Sequence, residues 1–284
     1  MAPSQAFHRM PLGFGPCPGP RQTVQGEKVS GWNNAKSTTY TVVFLAPTNQ
    51  LQDLLPSACF QIEPSKDSPG LATASISFTR LENLPWLAGR GYSLCGLYIH
   101  NVVCHGRDEV VSGKYLSVMF ENRPDPIISG REELGYAKLF SSLDEKENDQ
   151  NFSLLMGWEG TVFGEVAINS LSQDVPSDPT LLSHLKTENI LHYKYIPRTG
   201  NPGEADVEYP TVTPGAPAGS SQIETQLFSL SATLKFSSHG FQLLPTLHHI
   251  TEKLANIEPI EILGAGKVTA KGADDISGQR PIIT

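Results

Sequence analysis

The chain has 284 residues, with 29 acidic against 21 basic side chains and a formal charge of −8. That balance, with no cluster of Lys or Arg, argues against nucleic acid and against an anionic membrane surface as partners. No apolar run approaches the roughly 18 residues of a membrane span, and the first residues lack a basic region followed by an apolar one, so a cytoplasmic location is expected.

The length accommodates one large core, and the chain reads as a single domain over 1–284 with an irregular arm over 1–30, rich in Pro and Gly. The 25 Gly and 22 Pro imply many turns, which favours β structure over helix bundles. Four cysteines, Cys17, Cys59, Cys95 and Cys104, form no CxxC pair and read as reduced thiols. A metal site built from Cys95, Cys104, His100 and His105 is disfavoured, because structural zinc uses tight ligand pairs.

In chain order, a strand is expected over Ser37–Leu45, where Tyr40, Val42 and Phe44 share a face, then a short helix over Thr48–Leu55. Strands follow at Ala72–Thr79, Tyr92–Cys104 and Lys114–Glu121, and a helix at Ser129–Phe140. Phe152–Leu171 reads as two strands turned near Trp158–Gly160, and Pro179–Thr187 as a helix. Leu191–Ile196 and Gln222–Phe236 read as one strand each, sharing a sheet across a long surface loop, Pro197–Gly219. Leu247, Ile250 and Leu254 recur at helical spacing within Pro245–Asn256. Ile262-Leu-Gly-Ala-Gly-Lys267 lacks the third glycine and following helix of a dinucleotide loop and reads as a tight turn.

The segment Ser129-Gly-Arg-Glu-Glu-Leu-Gly-Tyr-Ala-Lys138 carries the most chemistry. Ser129 and Glu132 fit a capping box, which predicts a helix starting near Gly130 with Lys138 two turns in. On that helix Lys138 shares a face with Arg131, Leu134 and Gly135, and the missing side chain at Gly135 leaves room for a long amine. A lysine kept dry is driven toward its neutral form, and only the neutral amine attacks a carbonyl. The competing reading is a solvated lysine on an amphipathic helix.

Gly130-Arg131-Glu132-Glu133-Leu134-Gly135-Tyr136-Ala137-Lys138 resembles the signature of the acetoacetate decarboxylase superfamily, Gly-Arg-Glu followed by an aromatic residue and Pro-Lys-Lys. Gly113–Asn122 is similar to the family strand that precedes it. Leu191–Arg198 and Ala232–Leu254 resemble the later strands and helix, so the likeness runs in order over Tyr40–Ile282. It implies a mainly antiparallel β-barrel or cone with a few peripheral helices, a Schiff-base lysine at Lys138, and a homo-oligomer. Glu132 and Tyr136 are the further catalytic candidates, and Arg131, Phe78, Thr79, Leu94 and His100 the substrate-binding ones.

The departures from the family pattern are specific. Leu139 stands where the family has its second lysine, and Ala137 replaces the proline. Thr79 and Leu94 fall where the family carries two active-site glutamates, and the arginine the family carries before the first strand falls near Lys36 or Ser37, where this chain has none. His100, His105, His239, His248 and His249 offer alternative acids or bases, and Arg198 in the long loop offers an anion contact or part of a lid. No cofactor or metal is required. The expected activity is that of a carbon–carbon lyase on a β-keto acid or polyketide-like carbonyl compound, in secondary metabolism. The alternatives are aldol, dehydration, hydrolysis or cyclisation chemistry on the same fold, or non-catalytic binding of a small molecule.

Overall fold

A computed structural model describes all residues except 1–5, 66–67, 177–180, 182–183, 185–187 and 218. From the N-terminus the elements are β1 (Lys36–Pro47), α1 (Thr48–Gln52), β2 (Phe60–Ile62), β3 (Leu71–Leu84), β4 (Arg90–His105), β5 (Val110–Glu121), α2 (Pro124–Ser129), β6 (Lys138–Phe140) and β7 (Ser142–Glu147). They continue with β8 (Phe152–Trp158), β9 (Thr161–Asn169), β10 (Ile190–Pro197), β11 (Ala205–Thr213), β12 (Gln222–Ser229), β13 (Ser231–Phe236), α3 (His248–Ala255), β14 (Glu261–Lys271) and β15 (Arg280–Pro281).

Eleven strands form one sheet, whose main path runs β12-β14-β1-β3-β4-β5-β10-β11-β15, with β2 on β4 and β6 on β5. A second sheet, β13-β9-β8-β7, packs against it. Pairing is antiparallel except where β5 meets β6 and β10. The fold is therefore mainly β with few helices, as expected. Neither sheet closes on itself, so the expected barrel or cone is replaced by an open path from β12 to β15.

Strand alternation sorts side chains onto two faces. Tyr40, Val42 and Phe44 on β1 and Ile76 and Phe78 on β3 enter the core between the sheets, where Phe120, Phe152 and Phe163 are also buried. Tyr40 and Phe152 stack at 3.8 Å between ring centroids, joining the two sheets. At the rim, Arg80 pairs with Glu145 and Glu147 of β7, and the Tyr40 hydroxyl donates to Glu147. The opposite face of β1 and β3 is polar, with Thr39 bonded to Thr79 and Thr41 to Ser77.

Several elements differ from expectation. The helix over Ser129–Phe140 is α2 followed by a single π-helical turn, Gly130–Leu134, and then strand β6. Pro124 starts α2 and Gly135, at φ +81°, stops the π-turn in the left-handed region. The supposed loop Pro197–Gly219 contains β11, which pairs with β10. Gln222–Phe236 is two strands in different sheets, broken between Ser229 and Ser231.

The glycine-rich Ile262–Lys267 lies inside β14 and not in a turn. Gly264 has φ +150° at a register shift against β1, and a Cβ there would stand 2.5 Å from Leu181. Glycine is needed for both reasons. The helix expected over Pro179–Thr187 lies for the most part outside the described residues. The strands expected on either side of the long loop, β10 and β12, do share one sheet.

The stacked Tyr40–Phe152 contact predicts where stability resides. Phe152→Ala should lower the unfolding free energy in urea by about 3–5 kcal/mol. Arg80→Met, at the partly exposed rim, should cost about 1 kcal/mol or less.

Candidate functional site

Lys138 occupies the first position of β6, next to Met119 of β5. Alternation along this short strand sends Ala137 and Leu139 to one side and the Lys138 side chain to the other. Leu139 lines an outer groove of about 440 Å³ with Ala137 and Arg131. It therefore faces away from the amine. Three backbone-directed bonds fix the strand: Lys138 N–H to Tyr136 O, Met119 N–H to Ala137 O, and Arg131 Nη1 to Lys138 O at 2.9 Å.

The room for the amine comes from Gly130 and not, as its register on a helix suggests, from Gly135. A Cβ at Gly130 would stand 2.6 Å from both Cδ and Cε of Lys138 and 2.7 Å from Nζ. Gly135 instead lets the Lys194 backbone approach. Lys138 is buried, 7% exposed, and Nζ lies 2.9 Å from Glu121 Oε1 and 3.1 Å from Pro126 O. Glu121 is wholly buried, and its Oε2 has no hydrogen-bond partner among the described residues. Burial holds the Glu121 carboxyl above the ordinary carboxylate range, with the Lys138 charge opposing that shift.

One wall of the site is aromatic and carries its own hydrogen-bond chain. The Lys138 amine lies 5.1 Å from the Tyr136 ring centroid, and that ring packs on His192 at 4.0 Å. Thr213 Oγ1 donates to Gln279 Oε1 at 2.6 Å, which leaves it to accept from Tyr136 at 2.9 Å and from His192 Nε2 at 3.0 Å. His192 is thus the Nε2–H tautomer, and its buried Nδ1 has no partner among the described residues. Desolvation, reinforced by the Lys138 charge, depresses His192 to about 3, while burial pushes Tyr136 up to about 12.

Beside the amine is a cavity of about 180 Å³. Its walls include Leu81, Trp86 and Tyr92 from β3, β4 and the turn between them, Pro20 and Trp32 from the N-terminal arm, and Ile276 from the C-terminal segment. The volume lies below the roughly 300–1,000 Å³ of sites for drug-sized ligands. It has room for a small molecule, or for one end of a larger one.

The other residues singled out from sequence fall in different places. Leu94 belongs to the apolar cluster of Tyr98, Leu116 and Met119 against which Tyr136 packs. Glu132 is half-buried and makes no hydrogen bond with the described residues, and the capping box is absent because Ser129 Oγ turns back to Asp125 O. Phe78 lies in the core between the sheets. Thr79 is bonded to Thr39. His100 stands farther along β4, bonded to Ser75 at 2.8 Å and Glu188 at 3.0 Å. Arg198 is exposed and paired with Glu204 and Asp206.

Sequence reasoning passed over Glu121, His192, Thr213 and Trp32. Only Glu121 left a usable signal. It ends an otherwise apolar strand, and it pairs directly with Leu94, which in turn pairs with Thr79. Thr79, Leu94 and Glu121 therefore form one row across β3, β4 and β5. Of the three, Glu121 alone carries an acid.

A family model described as Acetoacetate decarboxylase (ADC) matches residues 10–269, and the chain belongs to that family. Among solved structures, an acetoacetate decarboxylase superposes with TM-score 0.63 at 13% identity, covering 88% of this chain and 89% of that one. An acetoacetate decarboxylase from Legionella pneumophila gives 0.59 at 13% identity, with coverages of 85% and 87%. The enduracididine biosynthesis enzyme MppR, complexed with the condensation product of pyruvate and imidazole 4-carboxaldehyde, gives 0.58 at 12% identity, with 88% of each chain covered. No curated protein sequence matches the chain. At these identities the superpositions establish a shared fold.

The Lys138–Glu121 pair yields a pH prediction. Glu121 has a folded-state value above its ordinary 4.5, so the folded protein holds a proton that the unfolded chain releases. Stability from this group is present below about 4.5 and is lost as pH rises through the raised value. Lys138→Met removes the opposing charge and should cost about 3–5 kcal/mol near pH 8, where unfolding frees the carboxylate. Urea unfolding near pH 5 should show a clearly smaller loss.

Proposed function

We propose that the protein is an acetoacetate decarboxylase-like enzyme in which Lys138 condenses with a carbonyl substrate and Glu121 manages its proton. The observation that carries this reading is the buried Lys138 amine, 2.9 Å from a fully buried carboxyl group, at the wall of an aromatic cavity. Glu121 takes a proton from the ammonium, freeing the lone pair that attacks the carbonyl carbon. The resulting carbinolamine loses its hydroxyl as water, the proton coming back from Glu121, to give an iminium.

From a β-keto acid the iminium accepts the electron pair of the breaking carbon–carbon bond, and carbon dioxide leaves. The enamine that remains is protonated at carbon, and water restores the ketone and the amine. Lys138 and Glu121 carry the reaction. Tyr136 and His192 shape the wall, since their polar atoms face Thr213 and not the amine. Arg131 positions Lys138 through its backbone oxygen.

A second reading keeps the amine and changes the bond made. An enamine can attack an aldehyde instead of a proton, giving aldol condensation followed by loss of water. The departure of Thr79 and Leu94 from the family's glutamates favours it, because the acid has moved to another strand and its reach over the substrate differs. A substrate in secondary metabolism and a homo-oligomeric assembly are consistent with both readings.

Borohydride reduction with acetone or pyruvate tests the shared step. Wild type should gain the mass of one reduced adduct, mapped to Lys138, and Lys138→Ala should gain none. Glu121→Gln should be trapped about 100-fold more slowly, the size expected for removing a proton-transfer group. Trapping at another lysine, or none in wild type, sinks the Schiff-base reading. Carbon dioxide release from β-keto acids, set against condensation of pyruvate with an aldehyde, separates the two reactions.

A further inference from the structure

Two thiols outside the Lys138 cavity are in contact with each other. Cys59, in the turn that leads into β2, and Cys104, on β4, stand 45 residues apart in sequence, and the Cys104 thiol donates to Cys59 Sγ at 3.8 Å. The backbone holds them there. The His105 N–H donates to Cys59 O at 2.8 Å, Phe60 pairs with Cys104 across the two strands, and the Phe60 ring packs on Tyr115 at 4.9 Å. A disulfide needs its Cα atoms within about 7 Å and its sulfurs at about 2.05 Å. Sulfurs already touching across adjacent strands reach that distance by side-chain rotation and a small shift of the turn, which carries the exposed Pro56 and Ala58.

The surroundings of the two thiols assign their parts. Cys104 is fully buried, and burial, reinforced by Cys59 beside it, pushes its thiol up to about 12. It stays protonated. Cys59 is only half-buried, so an oxidant arriving from solvent meets it first. Cys17 lies on the arm and Cys95 in the core, and neither is in such a contact among the described residues.

We infer that Cys59 and Cys104 form a redox modification site, a dithiol that a hydroperoxide closes to a disulfide. With hydrogen peroxide the O–O bond breaks at the Cys59 sulfur, leaving Cys59–S–OH and one water. The Cys104 sulfur then attacks the Cys59 sulfur, the S–O bond breaks, and the hydroxyl leaves as water with the Cys104 proton. The two thiols lose two electrons, and the peroxide gains them as it becomes two waters. A thiol reductant reverses the bond by exchange.

The disulfide clamps the turn before β2 to β4. Asp53, Leu54, Leu55 and Pro56, just ahead of that turn, wall the groove behind β6, whereas neither cysteine lines the Lys138 cavity. The clamp therefore stabilises the fold and leaves the amine as it was.

The full chain, reduced and then freed of reductant, is treated with an equimolar amount of hydrogen peroxide and alkylated. Its mass before alkylation should fall by about 2 Da, and peptide mapping should join Cys59 to Cys104 within one chain while Cys17 is still alkylated. Dithiothreitol should restore both thiols. The oxidised protein should melt about 5–10 °C higher, the size expected of a crosslink closing a loop of this length. Cys104→Ala should stop at Cys59–S–OH, which dimedone labels, and Cys59→Ser should leave Cys104 unmodified because burial shields it. A link to Cys17, a link between two chains, thiols that stay reduced in the native protein, dimedone on Cys104 in Cys59→Ser, or a melting temperature that falls on oxidation overturns the inference. Borohydride trapping at Lys138 should be equal in the oxidised and reduced protein, and its loss on oxidation alone overturns the separation of the two sites.

Discussion

The site depends on one constraint: a carboxyl group with no exposed surface and an amine 2.9 Å from it must be buried together. Either alone would carry an uncompensated charge or be forced neutral, and the desolvation cost of an isolated buried ion is several kcal/mol. The local architecture answers that demand. Strand β5 ends on Glu121, and β6 runs parallel to it so that Lys138 lies alongside Met119. Gly130 clears the volume the lysine stem occupies, and Arg131 ties down the Lys138 carbonyl. Gly130 and Arg131, from the segment that carries Lys138, thus serve one ion pair.

That pair is placed by the order of the strands. The row Thr79–Leu94–Glu121 crosses three neighbouring strands, and cross-strand partners in such a row have Cβ atoms only about 4.5–5.5 Å apart. Glu121 reaches Lys138 from the strand next to β6, where it can exchange a proton with the amine directly.

Much of the fold was legible in the sequence because its strands alternate cleanly. Tyr40, Val42 and Phe44, then Ile76 and Phe78, mark core faces that the structure reproduces. The failures share one cause, which is that local signals were outvoted by contacts distant in sequence. Ser129 and Glu132 have capping-box spacing, but Pro124 and Pro126 start the helix earlier and Gly135 stops it, leaving Lys138 in a strand stabilised by β5. Gly264 and Gly266 look like turn residues, yet β14 is flanked by β1 and β12 and needs a bulge. Lys138 was found through its motif, whereas Trp32, His192 and Thr213 come from parts of the chain distant from it and carry no motif. Only the packing of the arm, β10 and β11 around the amine brings them together.

The proton inventory around the amine follows from the same burial. His192, pressed down to about 3, stays neutral, and Tyr136, pushed up to about 12, keeps its proton. Tyr92, which lines the cavity, is raised well above its ordinary value by burial and by the Glu121 charge. Asp274 lines the cavity too, with one oxygen accepting the Asp275 N–H. The aromatic hydroxyls and the imidazole therefore do not trade protons with the amine near neutral pH, and they act as fixed dipoles and surfaces. What remains in direct contact with Lys138 is one carboxyl group whose affinity for protons burial has raised. In the proposed reaction, the proton removed from Lys138 before it attacks a carbonyl is then the one at hand when the hydroxyl must leave.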